Sequence, residues 1–184
     1  KKLNDLVLSI DRKIQYLAYR ELAAAVEQNK AKAGAAVVLD AKTGEVLAMV
    51  NLPTYNPNNP VNMAGRSRNR AIVDIFEPGS TLKPVTVAAA IESGNYTAAT
   101  QIQTAPGFLK VGIATVHDAH PQGLITVAQV IQKSSNVGAA KMALSLRPQY
   151  LWSVFNQIGF GRPTNIGFPG EATGKLRNYK TWRP

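Results

Sequence analysis

The run Glu77-Pro78-Gly79-Ser80-Thr81-Leu82-Lys83 holds the residues best suited to chemistry. Residues three apart on a helix share a face, so Lys83 is placed to bring its amine toward the Ser80 hydroxyl. A serine hydroxyl is a weak nucleophile unless its proton is removed as it attacks, and a positioned base contributes about 10² to 10⁴ in rate. Lysine can be that base only when neutral, so its pKa must fall from about 10.4 toward about 7 to 8. Burial and a cationic neighbourhood would both push it that way. A Ser-x-x-Lys alone also fits a helix cap followed by a surface lysine, so further residues must support the pair.

Ser-x-x-Lys gains meaning beside a Ser-x-Asn and a Lys-Thr-Gly. Three Ser-x-Asn matches occur: Ser67-Arg68-Asn69, Ser93-Gly94-Asn95 and Ser134-Ser135-Asn136. The first precedes the nucleophile, and the second falls where a helix ends with Gly94 as its cap; both read as structural. Ser134 lies 54 residues beyond Ser80, in a polar break between two predicted helices where a hydroxyl and an amide can face a cleft. The second motif is therefore assigned to Ser134 and Asn136. Lys42-Thr43-Gly44 comes ahead of both motifs and between two predicted strands, where Gly44 serves as a turn residue.

These groups need elements to hold them. Pro78 and Gly79 punctuate the chain before Ser80, and the residues through Ile91 suit a helix ending at Ser93 and Gly94, which puts Ser80 at a helix N-terminus. Pro84 sits at the edge of what a first turn tolerates. That N-terminus would add positive potential near Ser80 and offer its backbone amide to a developing oxyanion. Residues 126–132 are predicted helical, 133–136 a polar break, 137–145 helical again, and Pro148 opens a short helix ending at Gly159.

Upstream, Ile14, Leu17, Ala18, Leu22, Ala25 and Val26 recur at helical intervals and predict a helix over residues 11–30, capped by Asp11 or Ser9. Residues 35–39 and 46–50 predict a β-hairpin, residues 109–116 a strand or hairpin, and the proline- and asparagine-rich segment Leu52 to Pro60 a loop. No closing element is predicted from Gly159 to Pro184. One clear hairpin and one further strand fall short of the three or more strands that a stable sheet usually needs. The chain therefore reads as the front part of a larger α/β (α+β) domain.

Composition narrows the chemistry. With 184 residues and 45% hydrophobic content the chain fits one domain or part of one. Cysteine is absent, which removes thiol nucleophiles and Cys-ligated zinc without choosing a compartment. No run approaches the roughly 18 apolar residues of a membrane span. The polar start at Lys1 and Lys2 lacks the pattern of a secretion signal, so any targeting segment is expected outside these residues. The formal charge is +10, but the basic residues are spread out; even Arg66, Arg68 and Arg70 read as solvated surface rather than a phosphate strip.

Other candidates are weaker. His117, Asp118 and His120 lack the helical spacing of zinc hydrolases, so no metal is assigned. A Ser-His-Asp triad is opposed by Leu82, which stands where a Gly-x-Ser-x-Gly elbow needs glycine. Trp152, Phe155 and Ile158 recur at helical spacing and read as core. Tyr55 fits either a groove lining or a loop cover.

Taken together, residues 52–59, Arg68-Asn69-Arg70, Phe76 through Pro84, and Lys133-Ser134-Ser135-Asn136-Val137-Gly138 resemble the class B penicillin-binding proteins, in particular the division transpeptidases of Gram-negative bacteria. The likeness runs over nearly the whole chain. It implies the penicillin-binding-protein/β-lactamase-like serine transpeptidase fold, with residues 1–184 as the N-terminal portion of that domain. It also implies that Ser80 is acylated, Lys83 accepts its proton, Ser134 relays a proton to the leaving group, and Asn136 holds the substrate backbone. The family's third motif, on an edge strand, is expected after Pro184, and without it the fragment is expected to be a poor catalyst.

The resemblance further implies a stem peptide ending in D-Ala-D-Ala as substrate, β-lactams as inhibitors, and no cofactor. It implies a periplasmic site, an upstream membrane anchor, and division partners including a glycosyltransferase of the shape, elongation, division and sporulation family. A β-lactam sensor of the same fold, holding the acyl group without turnover, is the alternative. A nucleic-acid-binding module is supported by charge alone, because no basic patch is interleaved with aromatics.

Overall fold

The computed structural model describes residues 6–59, 61 and 63–182, so Lys1, Lys2, Pro60 and Pro184 lie outside the described residues. The described chain forms two compact units. Unit 1 runs to Ile75 and adds Gly167–Ala172; unit 2 comprises Phe76–Ile166 and the residues from Thr173 on.

Unit 1 opens with helix α1, Arg12–Gln28, capped by Asp11, whose carboxylate accepts from the Lys13 and Ile14 amides. Ser9, the other predicted cap, instead donates to the Val46 carbonyl at 2.7 Å. The predicted hairpin forms from β1, Gly34–Leu39, and β2, Val46–Leu52, paired antiparallel from Gly34↔Leu52 to Leu39↔Val46. A Cβ on Gly34 would stand 2.9 Å from Val26 Cγ2, so the glycine lets α1 lie close on the hairpin. In the connecting turn the Asp40 carboxylate accepts from the Lys42 and Thr43 amides, and these bonds hold its pKa below the usual carboxylate range. Lys42-Thr43-Gly44 is thus the turn of the hairpin, with Gly44 at φ 77°.

After the predicted loop comes a short helix, α2, Arg70–Val73, which the sequence reading did not foresee. The arginines before and in it are not all solvated surface. Arg68 and Arg70 both pair with Asp74, at 2.5 and 3.0 Å. Among the described residues of this unit the buried apolar ones are Ala48, Val50 and Ile72.

Unit 2 is built on a single-turn 3₁₀ helix, Gly79–Leu82, continuing into α3, Lys83–Glu92. Then follow β3, Gln101–Gln103; β4, Phe108–Val111; β5, Ala114–His117; β6, Leu124–Thr126; and helices α4, Val127–Gln132, α5, Asn136–Ser145, and α6, Pro148–Gln157. The predicted hairpin over 109–116 is β4–β5. Strands β3 and β6 form a second antiparallel pair, too short to show a period in sequence.

Thr126 closes a capping box with Gln129 at the start of α4. The core gathers Val87, Ala90, Val130, Met142, Leu146 and Leu151. Phe155 packs against that core as predicted, whereas Ile158 is 54% exposed and Leu151 takes the buried place on α6. The region after Gly159 does have a closing element. A 3₁₀ turn, Tyr179–Thr181, packs on α6, with Trp182 against the core and the Tyr179 ring 6.1 Å from that of Trp152.

Candidate active site

Ser80 lies in the 3₁₀ turn rather than in the first turn of an α-helix. The cause is Pro84, which has no amide to donate to the Ser80 carbonyl, so that carbonyl accepts from the Lys83 amide three residues on. Side chains three apart eclipse in a 3₁₀ turn, so the same proline aligns Ser80 with Lys83. Gly79 at φ 57° supplies the left-handed step into the turn.

The two side chains meet through a third. Lys83 Nζ donates to Ser134 Oγ at 2.8 Å and to the Ser134 carbonyl at 2.5 Å, and Ser134 Oγ lies 3.1 Å from Ser80 Oγ. The direct Ser80–Lys83 contact expected from spacing is replaced by this bridge.

Ser134 reaches that position through an unusual backbone. Its φ is 53°, in the left-handed region that favours glycine. The Ser134 amide donates to the Ile131 carbonyl and the Ser135 amide to the Val130 carbonyl, the paired bonds of a Schellman motif closing α4. Here a serine fills the place usually given to glycine, and the turn aims both its carbonyl and its hydroxyl at Lys83.

The next residue starts the following helix. Ser135, 2% exposed, caps α5 by accepting from the Gly138 amide at 2.9 Å. Its hydroxyl also lies 2.9 and 3.1 Å from the two Asp118 carboxylate oxygens, and Asp118 accepts from the Val137 amide at 2.9 Å. Asn136 is the first helical residue rather than the last of the break, and its Nδ2 donates to the His117 carbonyl at 2.7 Å. The loop after β5 therefore grips both sides of the α5 N-terminus. Gly138 lets the two helices meet closely here, because a Cβ would lie 2.6 Å from Val130 Cγ2 and 3.1 Å from Ser135 Oγ.

Burial pushes the Lys83 pKa below its ordinary value, while the negative charge of Asp118 opposes that shift. Of the two conditions that would lower it, burial acts here, and the charged neighbour is a carboxylate rather than a cation. Asp118 and Ser135 are the residues that sequence reasoning missed. Sequence offers Asp118 as a metal ligand or a triad carboxylate, whereas its carboxylate is engaged by Ser135 and Val137. Among the described residues no group of three or more His, Asp or Glu side chains is arranged to hold a metal ion. The other two Ser-x-Asn matches serve locally: Ser93 Oγ donates to the Ala90 carbonyl, and Asn69 Oδ1 accepts from Asn51.

A hydroxyl, a second hydroxyl and an amine of lowered basicity in one hydrogen-bonded line form an arrangement for moving a proton off a nucleophile. Known proteins are similar to the chain that carries it. The profile of the penicillin binding protein transpeptidase domain matches residues 34–182. The chain is 45% identical over 184 residues to a probable peptidoglycan D,D-transpeptidase, PenA, of Neisseria flavescens, covering 100% of this chain and 46% of that protein. It is 42% identical over 180 residues to the peptidoglycan D,D-transpeptidase FtsI of Escherichia coli, covering 97% of this chain and 30% of that protein. It thus spans less than half the length of these relatives.

Among solved structures it resembles the apo transpeptidase (TP) domain of Burkholderia pseudomallei penicillin-binding protein 3, with a TM-score of 0.85 and 45% identity over 96% of this chain and 49% of that one. A structure described as a peptidoglycan glycosyltransferase from Burkholderia ambifaria matches with a TM-score of 0.86 and 48% identity over 96% of this chain and 52% of that one.

Proposed function

The chain belongs to the penicillin-binding protein transpeptidase family, and from that premise we propose that it carries the acyl-accepting half of a peptidoglycan D,D-transpeptidase, with residues 1–184 the N-terminal portion of the catalytic domain. The observation that carries the proposal is the line from Lys83 Nζ through Ser134 Oγ to Ser80 Oγ. Ser80 Oγ attacks the penultimate D-alanine carbonyl of a stem peptide. Its proton passes through Ser134 to neutral Lys83, and hydroxyl rotation lets the line run in either direction.

As the peptide C–N bond breaks, the proton returns from Lys83 through Ser134 to the departing D-alanine amine. An amine on a neighbouring strand then attacks the Ser80 ester, forming the cross-linking amide and returning the proton to Ser80. The Ser80 backbone amide is a candidate oxyanion donor; one such donor is typically worth about 2.7 to 4 kcal/mol. Asn136, held through its Nδ2 by the His117 carbonyl, presents its amide to the substrate backbone.

A β-lactam carbonyl meets the same serine and leaves a stable ester. The hydroxyls and amine of the site suit acyl transfer. On the same reading the protein acts at the periplasmic face of the inner membrane, anchored upstream, beside division proteins that include a glycan polymerase. Among the described residues no helix is long and apolar enough to cross a membrane.

The test uses the protein at its full natural length, a peptide ending in D-Ala-D-Ala and an acceptor amine. Free D-alanine and a cross-linked product are expected, both lost in Ser80→Ala. Turnover that survives in Ser80→Ala would refute the assignment.

A further inference from the structure

Unit 2 contains an open cavity of about 560 Å³ that the acyl-transfer chemistry leaves unused, with Glu92, Ser93, Asn95, Leu146, Arg147 and Tyr150 in its lining. Helix α3 begins at Lys83 and α5 at Asn136, and both end at this cavity. At 1.5 Å per residue it therefore stands roughly 15 Å from the acyl-transfer site. Hydroxyls fix its frame. Tyr150 Oη donates to Glu92 Oε2 at 3.0 Å, Ser93 Oγ to the Ala90 carbonyl at 2.7 Å, and Ser145 Oγ to the Met142 carbonyl at 2.7 Å. Leu146, 6% exposed, is the apolar floor.

Three polar groups are left over by this bracing. The Arg147 guanidinium, the Asn95 side-chain amide and Glu92 Oε1 make no hydrogen bond or ion pair among the described residues. Arg147 and Glu92 thus line one cavity with opposite charges and do not pair with each other. A ligand carrying only negative charge would meet Glu92 and the carbonyl end of α3, where the helix potential is negative. One carrying only positive charge would meet Arg147. An apolar ligand would desolvate both charges and pair neither, at a cost. A ligand with both signs satisfies both walls. A guanidinium holds a carboxylate through two parallel bonds, an ammonium donates to a carboxylate, and an amide such as Asn95 both donates to and accepts from a peptide group.

We propose that this cavity binds a short linear zwitterion, an unblocked dipeptide with small side chains, with its carboxylate on Arg147, its ammonium on Glu92 and its central amide at Asn95. The inference is independent of the transpeptidase reading, since none of these residues belongs to the Ser80 site.

The test is calorimetric titration of the full-length protein with L-alanyl-L-alanine, beside its N-acetyl and C-terminal amide derivatives, each of which lacks one charge. The free dipeptide is expected to bind at least tenfold more tightly than either derivative. Arg147→Gln should erase the preference over the amide, and Glu92→Gln the preference over the N-acetyl form. Glutamine at position 92 keeps an acceptor for Tyr150, and the Arg147 side chain makes no cap bond in α6, so both variants should melt with the parent. Fluorescent penicillin labelling reads Ser80 and should match the parent in both, which separates failure of this proposal from failure of the transpeptidase reading. Equal affinity for the three ligands, no binding at millimolar dipeptide, or preferences that survive both substitutions would overturn it.

Discussion

Ser134 holds a backbone conformation that costs a non-glycine residue roughly 1–2 kcal/mol, and it does so at the point where its hydroxyl bridges Lys83 and Ser80. Strain kept at such a position is expected where function requires the side chain. Ser134→Gly should therefore leave thermal stability unchanged or raise it by up to about 1 kcal/mol, while slowing acylation by at least about tenfold. A melting temperature that falls along with the rate would contradict this.

Lys83 gives a second prediction. It works as a base only when neutral, and burial lowers its pKa, so acylation should rise with pH and level off below the ordinary lysine range. Asp118 opposes the shift. Asp118→Asn keeps an acceptor for the Val137 amide but removes the charge, so the rise should move to lower pH. A pH profile of the penicillin acylation rate that does not move, or that moves upward, would exclude this role. Spacing singles out Ser80, Lys83, Ser134 and Asn136 as candidates, and the first three lie in one hydrogen-bonded line. Asp118 was not legible, because a loop carboxylate that bonds a hydroxyl 17 residues away leaves no periodic mark.

At the scale of elements, the site is a join between α4 and α5, and Gly138 sets its tightness. Gly138→Ala would drive a methyl into Val130, which is fully buried, and against the Ser135 cap. Overpacking of this kind costs typically about 1–3 kcal/mol. Thermal denaturation should show that loss together with slower acylation, since the displaced cap also carries Ser134 and Asn136. A variant as stable and as reactive as the parent would show that the join has slack.

Helix periods and cap residues made α1, α4, α5 and α6 legible to within a few residues. The 3₁₀ turn at Ser80 is harder to read, because a proline in a first turn is compatible with an α-helix and only its missing amide changes the bonding of the turn. Strands β3 and β6 have three residues each, too few to express an alternation.

For the whole molecule, apolar burial is uneven. Unit 1 buries Ala48, Val50 and Ile72, whereas the cluster in unit 2 draws on α3, α4, α5, α6 and two strands. Local opening costs least where few apolar contacts are lost. Native-state hydrogen exchange should show the amides of β1 and β2 opening at lower free energy than those of α5; equal protection would contradict this ranking. The reading of a sheet with too few strands was correct in kind. The described strands form three two-stranded pairs, and none reaches three strands. Their number was underestimated because short pairs held by helices carry little signal of their own.

The account stands most directly on where a penicillin becomes attached. Full-length protein incubated with a β-lactam, digested and mapped by mass spectrometry should carry the covalent adduct on the peptide containing Ser80, with the adduct absent in Ser80→Ala and much slower to form in Lys83→Met. An adduct on any other residue, or one that persists after Ser80→Ala, would contradict it.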